Sequence, residues 1–465
     1  MNAAIAASLI ILFIISVPVA VAIGLSAIFG ITFFSNMPLM VVPQKIFTSL
    51  DSFPLLAVPF FILAGNLMSR GGVSARLVDF AKSIIGGMQG GLASTCVITC
   101  MMFAAISGSS VATTYAIGAI LIPAMVAHGY PKPMAATIQA SSAELGVIIP
   151  PSVPMIIYAV STETSVTKLF MAGIGPGILI AAMLVIMVQI WCRFTGRGLH
   201  DGDHRMPFFT NNLHAALAGL LVVILIGCVY FGVLSRLQAV AVLMAFAFLA
   251  VPSARRAFWA LLLPLIILGG IYGGIFTPTE AAAVAVAYAL LVGLLIYREI
   301  RISDLPEIFR SAAVSTAAIM LIIGTAGLLS FLVNLSGMPR IIGAWAEGSF
   351  ASPWSFLLAI NILLFIVGMV IETSAAILVL GPVLAPIAIS YGIDPVHFGV
   401  VMIVNLAMGM ITPPLGVNLF AAASVANIPV QRMFRSLLMP LVTVIIALML
   451  ITYIPEISLY LTRGL

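Results

Sequence analysis

The stretch GVIIPPS at Gly146–Ser152 lies inside a long apolar run and contains two consecutive prolines. Proline lacks a backbone N–H group and clashes with the carbonyl four residues earlier, so a helix cannot run through this stretch unbroken. In a lipid bilayer, broken backbone is tolerated only where protein or a water-filled cavity covers it. The sequence therefore predicts a covered helix break, and its free carbonyl oxygens are suited to binding a cation.

A second stretch, GMITPPL at Gly409–Leu415, repeats the pattern of a glycine followed four and five residues later by prolines. It lies 263 positions after the first, and the same offset pairs Gly118 with Gly381 and Pro123 with Pro386. Because glycine and proline set backbone geometry, a backbone plan has been duplicated. Interrupted apolar segments at matching positions of two halves indicate the binding site of a secondary transporter.

The composition is that of a polytopic helical membrane protein. Hydrophobic residues make up 63% of the chain and charged residues 7%, whereas soluble domains are about 25% charged. The apolar runs are long, unlike the short alternating segments of a membrane β-barrel. No stretch is polar and long enough to form a soluble domain. The net charge of +5 reflects arginines in loops, which does not indicate a nucleic-acid surface.

The sequence predicts two halves of similar plan, 1–192 and 257–465, joined by a connector at 193–256. The connector contains two additional apolar spans, roughly 213–234 and 237–252. Three arginine clusters, around positions 193–205, 255–256 and 298–310, are separated by even numbers of predicted spans. They are therefore expected on one side of the membrane, which the positive-inside rule makes the cytoplasmic side.

The first apolar run, Ala3–Phe34, is too long for a signal peptide and is predicted to be a retained membrane segment. It is broken near Pro18 and Gly24 and fits one long tilted helix.

Each half is predicted to contain a re-entrant hairpin. In the first half, a tip rich in serine and threonine at 107–113 precedes an apolar arm at Tyr115–Val126, which is shorter than the roughly 20 residues of a full crossing. In the second half, the tip at 371–374 precedes another short arm at Ala375–Ile389. Small residues at such tips can serve helix packing alone. Their recurrence before both breaks favours a binding site.

Three acids lie within apolar runs, where a charge is costly and therefore a candidate for function. Glu372, at the tip of the second hairpin, is predicted to be functional. Glu144 lies two residues before the first break, and a structural role is equally open. Glu280 follows Thr-Pro-Thr, a good helix start, so a structural role is as open there. Asn418, which follows the second break, is a further candidate.

The combined motifs resemble the large membrane subunit, the M subunit, of the tripartite ATP-independent periplasmic (TRAP) transporters. The matching stretches are SGSSVAT at 107–113, GVIIPPS at 146–152, GIFTPTEAAAVAV at 274–286 and GMITPPLGVNLF at 409–420. The resemblance covers nearly the whole chain and departs from the family at the two additional spans. It implies an all-α polytopic membrane protein with two inverted structural repeats, re-entrant hairpins and broken helices, which works as an elevator-type transporter.

The resemblance also implies a function: a sodium-coupled secondary transporter that imports a small organic acid across the bacterial inner membrane. The implied partners are a periplasmic substrate-binding protein and a small four-helix membrane subunit, and Na⁺ is the coupling ion, with no other cofactor. A self-sufficient sodium/carboxylate symporter or sodium/proton antiporter of related architecture remains the alternative. An enzyme is disfavoured, because the sequence contains no HExxH or Walker A pattern and SGSS has no obvious His or Lys partner nearby.

The family's sodium sites, carried over onto this sequence and extended by the repeat, fall on the two tips and the two breaks. The implied sodium ligands are Ser107, Ser109, Gly146, Ile149, Pro151, Thr373, Gly409, Thr412 and Pro414. The residues predicted to contact the substrate are Thr113, Ser152, Glu372 and Asn418. No other metal site is predicted.

Overall fold

The computed structural model describes residues 2–199 and 252–464. Within these two ranges the chain consists of helices joined by turns, without a β-strand. Eight helices of the described part are long and apolar enough to cross a membrane, and the number is nine if two helices bent by 43° at a break count as one span. The predicted all-α polytopic fold is confirmed. The additional spans predicted at 213–234 and 237–252 lie outside the described residues, apart from Pro252.

The first described range forms eleven α-helices, with a short 3-10 helix before the fourth. In chain order they are α1 (Asn2–Ile14), α2 (Val19–Phe34), α3 (Val41–Leu50), α4 (Ala57–Arg70), α5 (Val73–Ile85), α6 (Gly91–Ser107), α7 (Ser110–Ala127), α8 (Lys132–Ala143), α9 (Leu145–Ile148), α10 (Val153–Ser161) and α11 (Val166–Thr195).

The second described range forms ten α-helices. They are α12 (Pro252–Tyr272), α13 (Pro278–Leu291), α14 (Leu305–Leu335), α15 (Met338–Ser349), α16 (Pro353–Gly368), α17 (Thr373–Ser390), α18 (Pro395–Gly409), α19 (Val417–Ala426), α20 (Phe434–Tyr453) and α21 (Glu456–Leu459). The boundary predicted between positions 256 and 257 falls inside α12.

The N-terminal run folds back on itself, so the prediction of one long tilted helix over Ala3–Phe34 is wrong. Helix α1 ends before a turn in which Ser16 adopts a φ of 61°, and α2 begins directly after Pro18. Proline disfavours helical backbone in the residue before it, which separates the two helices. They pack side by side: the Ile5 side chain lies where a Cβ on Gly30 would meet it at 2.6 Å.

The second and third arginine clusters come together with the arginines of α4 and α5 on one face. Arg70 of α4 pairs with Glu307 of α14 at 2.8 Å, and Arg76 of α5 pairs with Glu299 at 3.0 Å. The hydroxyl of Tyr297 donates to the carbonyl oxygen of Arg256 at the start of α12. We call this surface the arginine-rich face and define it by Arg70, Arg76, Arg256 and Arg298.

Both ends of the first hairpin, α6–α7, lie at the arginine-rich face. Helix α5 carries Arg76 and leads through a short turn into α6. At the start of α6, the amide of Gly90 donates to the carbonyl of Gly198 at 3.3 Å. At the end of α7, the Arg197 guanidinium donates to the carbonyl of Gly129 at 2.7 Å. One segment, Arg197–Gly198, therefore touches both ends of the hairpin, which enters and leaves on the same side.

The second hairpin, α16–α17, opens on the opposite face. Helix α14 has 31 residues, about 46 Å at 1.5 Å per residue, and carries the chain across. The hydroxyl of Tyr391, after α17, donates to the carbonyl of Phe350, before α16, and the rings of Tyr391 and Phe356 stack at 4.6 Å. The two hairpins thus enter from opposite faces, as inverted repeats require. The elevator motion itself stays a prediction.

The second arms of both hairpins are longer than predicted. Helices α7 and α17 each have 18 residues, because they begin at the tips themselves. Ser109 accepts a hydrogen bond from the amide of Ala112 and so starts α7 well before Tyr115. The short arm predicted at Tyr115–Val126 is therefore wrong in length, although the hairpin it suggested is present.

The duplicated plan visible in the sequence extends to the helix bounds. Helix α17 begins and ends 263 positions after α7. The proline pairs at the breaks, Pro150–Pro151 and Pro413–Pro414, both contain cis peptide bonds and share the same offset. The packing is reciprocal: α10 of the first half contacts α17 of the second, and α19 of the second half contacts α7 of the first. The two halves interlock around the two breaks.

Candidate functional site

The first break is held in shape by Ser152. The chain leaves α9 into extended backbone at Ile149, passes Pro150–Pro151 and enters α10. The Ser152 hydroxyl donates to the carbonyl of Val147 at 2.6 Å and accepts from the amide of Met155 at 3.4 Å. Ser152 is fully buried. Its hydroxyl hydrogen is used to close the break, which is a structural use of a residue predicted to contact the substrate.

The second break depends on close backbone contact with the second hairpin. A Cβ on Gly368, the last residue of α16, would lie 2.8 Å from the carbonyl oxygen of Leu406 and 3.1 Å from the Cα of Gly409. The amide of Leu415 donates across to the carbonyl of Met369 at 3.2 Å. Thr412 donates its hydroxyl to the carbonyl of Met408 inside the break. The hairpin and the break therefore share one backbone surface that only glycine at position 368 allows.

The first tip and the first break form a cluster of oxygen atoms. The hydroxyl of Thr113 donates to the carbonyl of Ser109 at 2.8 Å and lies 3.0 Å from the hydroxyl of Ser107. A Cβ on Gly146 would lie 2.7 Å from that same Ser109 carbonyl oxygen and 2.8 Å from the Thr113 hydroxyl. The Pro151 carbonyl oxygen would lie 2.8 Å from a Cβ on Gly108 in the tip. Hard cations bind such oxygen sets.

In this cluster, the positions of Thr113 and Ser109 differ from the roles that the sequence predicts for them. Thr113, predicted to contact the substrate, lies among the implied sodium ligands. Ser109 contributes its carbonyl oxygen, while its hydroxyl caps α7. The sequence contains a signal for both contacts. A serine immediately before a helix is a good N-cap, and a threonine four residues later can donate its hydroxyl to the carbonyl of that serine.

The second tip is organised by Glu372, whose carboxylate caps α17. One carboxylate oxygen accepts from the amides of Ser374 and Ala375 at 2.9 and 3.2 Å, and the other accepts from the Ser374 hydroxyl. A carboxylate at a helix N-terminus is favoured by the helix dipole. The hydroxyl of Thr373 is buried and lies 3.0 Å from the sulfur of Met410 in the second break. Tip and break therefore touch in the second half as in the first.

A cavity of about 160 Å³ lies between the two tips. Its wall combines both tips with helices α4 and α14. The polar residues in this wall are Asn66, Ser107, Ser109, Ser110, Ser315, Glu372 and Ser374. Asn66 and Ser315 were not predicted, although a polar residue inside an apolar span could have indicated them. Thr113, Ser152 and Asn418 do not belong to the described wall.

Asn418 instead reaches the other half of the molecule. Its side-chain amide donates a hydrogen bond to Glu144, beside the first break. Both side chains are fully buried. The second carboxylate oxygen of Glu144 and the amide oxygen of Asn418 have no partner within the described residues. The two residues, 274 positions apart, tie the breaks together away from the cavity.

Glu280 has a structural role. Its carboxylate accepts from the amide and the hydroxyl of Thr277 at 2.8 and 2.9 Å, and its own amide donates back to that hydroxyl. This reciprocal pair starts α13. Of the two open interpretations of Glu280, the structure supports the helix start.

Comparison of the sequence with known proteins gives a consistent family. The family model "Tripartite ATP-independent periplasmic transporter, DctM component" matches residues 6–253 and 250–457. A C4-dicarboxylate TRAP transporter large permease protein of Pseudomonas aeruginosa is 40% identical over 443 residues, which cover 95% of this chain and 94% of that protein. The isethionate TRAP transporter permease protein DctMQ of Oleidesulfovibrio alaskensis is 38% identical and covers 96% of this chain, which spans 64% of that longer protein.

Comparison of the structure finds a related fold in the YdaH transporter of Alcanivorax borkumensis, whose crystal structure was described as having an unusual topology. The TM-score is 0.62, and the match covers 98% of this chain and 99% of that one. At 13% sequence identity, the likeness concerns the fold alone.

Proposed function

Because the chain belongs to the DctM-component family of tripartite ATP-independent periplasmic transporters, we propose that it is the large permease subunit of a sodium-coupled importer for a small organic acid. Family membership makes the chain a multi-pass membrane transporter protein, and the prediction that it is not an enzyme is confirmed. The proposal adds the substrate class, the coupling ion, the partners and the bacterial inner membrane as the location.

The cavity between the two tips carries the proposal. The first turns of three helices, α7, α10 and α17, line it. Helix N-termini present backbone N–H groups and the positive end of the helix dipole, which favour an anion, although at α17 the Glu372 carboxylate already accepts from two of these N–H groups. Discontinuous helices of transporters direct such ends at substrate carboxylates. The P. aeruginosa relative is named for C4-dicarboxylates, which supports a small carboxylate as the substrate of this chain.

Sodium coupling has an electrostatic reason in this cavity. Glu372 is the charged residue in the described wall, and it is an anion like the proposed substrate. A bound cation close by offsets this repulsion. We assign the first cation to the cluster of Ser107, the Ser109 carbonyl and Thr113, with the break carbonyls at Gly146, Ile149 and Pro151. We assign the second to the matching elements Thr373, Gly409, Thr412 and Pro414.

The proposed partners follow from the family and the two faces. If the arginine-rich face is cytoplasmic, the opposite face receives a periplasmic substrate-binding protein. The longer O. alaskensis relative is named DctMQ, which supports a second membrane subunit beside this chain. During transport, the tips and breaks would move together against α4 and α14 in the elevator manner implied by the family resemblance.

The test is uptake of radiolabelled succinate into proteoliposomes under an inward sodium gradient. We expect uptake when the chain is reconstituted with its small subunit and binding protein, and none with the chain alone or with potassium in place of sodium. Robust sodium-driven uptake by the chain alone would support the alternative, a self-sufficient symporter. Uptake by the complete system without sodium would contradict the coupling. Isethionate serves as a second labelled substrate if succinate is not carried.

A further inference from the structure

A second and larger cavity, of about 430 Å³, lies between α3 and α14 on one side and α10 and α17 on the other. We call it the Lys45 cavity and define it by Lys45, Ser52, Ser330, Phe331, Asn334 and Leu378. In the proposed elevator motion α14 is one of the helices against which the tips and breaks would move, whereas α10 follows the first break and α17 is an arm of the second hairpin. The cavity therefore lies at the surface along which the two parts would move.

The Lys45 cavity follows the tip cavity along α14. Ser315 and Ile319 line the tip cavity, while positions 323 to 334 of the same helix line the Lys45 cavity. Ile319 and Ile323 are four positions apart, about 6 Å along the helix. Because α14 begins at the arginine-rich face, the Lys45 cavity lies beyond the tips, towards the face from which the second hairpin enters. That face is the proposed entry side.

The polar groups of the Lys45 cavity are suited to an anion. The Lys45 ammonium lies 4.2 Å from the centre of the Phe331 ring, which holds it in place. No carboxylate of the described residues forms an ion pair with it. The side chains of Ser52, Ser330 and Asn334 make no hydrogen bond within the described part of the chain, so their donors are free. An ammonium in a partly enclosed site is stabilised by a counter-anion.

The two cavities have opposite character. The described wall of the tip cavity contains a carboxylate, and that of the Lys45 cavity contains an ammonium. We propose that the Lys45 cavity is a second binding site for the transported carboxylate, occupied between release from the entry side and arrival at the tips. The identity of the anion rests on the proposed function. The anion-binding character of the cavity does not, and it can be tested separately.

The first experiment measures the electrostatic potential of the cavity without transport. Ser330→Cys is introduced into the chain with Cys228, which lies outside the described residues, replaced by serine. The three described cysteines are buried. In phosphatidylcholine nanodiscs, the labelling rate of the anionic reagent methanethiosulfonate ethylsulfonate is divided by that of its cationic trimethylammonium counterpart. We expect this ratio to be about tenfold higher at the new thiol than at an exposed thiol. Lys45→Gln should abolish this preference, and Lys168→Gln should leave it unchanged.

Lys168 is the matched control because it is an exposed lysine at the start of α11, on the same face. A labelling preference that is absent, or that survives Lys45→Gln, would overturn the proposal whatever the transported substrate is.

The second experiment measures transport by the complete system in phosphatidylcholine vesicles. We expect Lys45→Gln to raise the half-saturating substrate concentration about tenfold, as the loss of one charge-assisted hydrogen bond does, without changing the half-saturating sodium concentration. Lys45→Arg should retain most of the affinity.

An unchanged substrate affinity in Lys45→Gln contradicts the proposal. So does an effect that appears only when phosphatidylglycerol is added, because the cavity would then hold a lipid phosphate. Failure of the proposed function would appear differently, as absence of sodium-driven uptake in the unaltered chain.

Discussion

At the scale of single residues, Thr113 shows how one hydroxyl can link a hairpin tip to a helix break. It donates to the Ser109 carbonyl, contacts the Ser107 hydroxyl and lies against Gly146. The adjacent Thr114 is equally buried, but its hydroxyl bonds to the carbonyl of Ser110 inside the helix. Two neighbouring threonines therefore provide a test residue and its control.

We expect Thr113→Val to raise the sodium concentration for half-maximal uptake about tenfold, because valine keeps the shape and removes one oxygen ligand. Thr114→Val should leave the sodium dependence unchanged. The measurement is initial uptake against sodium concentration in proteoliposomes with the partner subunits held constant. Equal sodium dependence in the two variants would remove Thr113 from the proposed site.

Glu372 both caps α17 and lines the tip cavity. We expect Glu372→Gln to lower the rate of uptake about tenfold, because the variant loses the charge next to the proposed substrate and cation sites. Glu280→Gln is the control, since Glu280 also starts a helix but is exposed and is not part of the tip cavity wall. Both variants should purify and unfold at slightly lower temperature. Equal uptake by the two variants would limit Glu372 to capping.

The sequence predicts the backbone of the tips and breaks better than the contacts of individual side chains. Prolines and small residues located the tips and breaks correctly, because those residue types act locally on the backbone. The partner of Asn418 was not predictable, since Glu144 comes from the other half of the chain. Ser152, which is predicted to contact the substrate, follows a break and precedes a helix, and this is a position at which serine is a good N-cap.

At the scale of helices, the errors arose at turns. The fold-back between α1 and α2 needs Ser16 in left-handed backbone, and no local sequence pattern predicts this conformation. The true start of α7 depends on the Ser109 cap, whereas the prediction used hydropathy alone. The breaks were predicted correctly because Pro-Pro excludes a continuous helix whatever the tertiary context.

The contact between α16 and the second break gives a prediction at this scale. We expect Gly368→Ala to destabilise the protein by about 2 kcal/mol and to lower uptake, because the new methyl group would press on the Leu406 carbonyl and move the hairpin away from the break. Gly348→Ala is the control, since nothing lies within 4 Å of a Cβ there. Thermal unfolding in detergent checks stability. A stability loss in Gly348→Ala that matches Gly368→Ala would contradict the packing argument.

At the scale of the whole molecule, Glu144 and Asn418 join the two halves. Removing the amide leaves the buried Glu144 carboxyl group without its hydrogen-bond partner, which costs about 2 kcal/mol. We therefore expect Asn418→Leu to lower the unfolding temperature more than the double change Glu144→Leu with Asn418→Leu, which removes the carboxylate as well. The measurement is thermal unfolding of the three purified proteins. A double variant that unfolds at a lower temperature than Asn418→Leu would contradict this expectation, because Glu144 would then stabilise the protein by more than its hydrogen bond with Asn418.

Helix α14 passes both cavities, and its length of about 46 Å exceeds the roughly 30 Å of a typical hydrocarbon core. Its start carries Glu307 and Arg310 at the arginine-rich face, but the apolar remainder, residues 311–335, is still about 37 Å long, so the helix is expected to tilt or to thicken the lipid around it. Its tilt fixes the depth at which Ser315 and Asn334 lie relative to the membrane midplane. The acyl-chain length of the surrounding lipid therefore becomes a variable that sets how far each cavity is from water, and so tunes the exchange of substrate between the two sides.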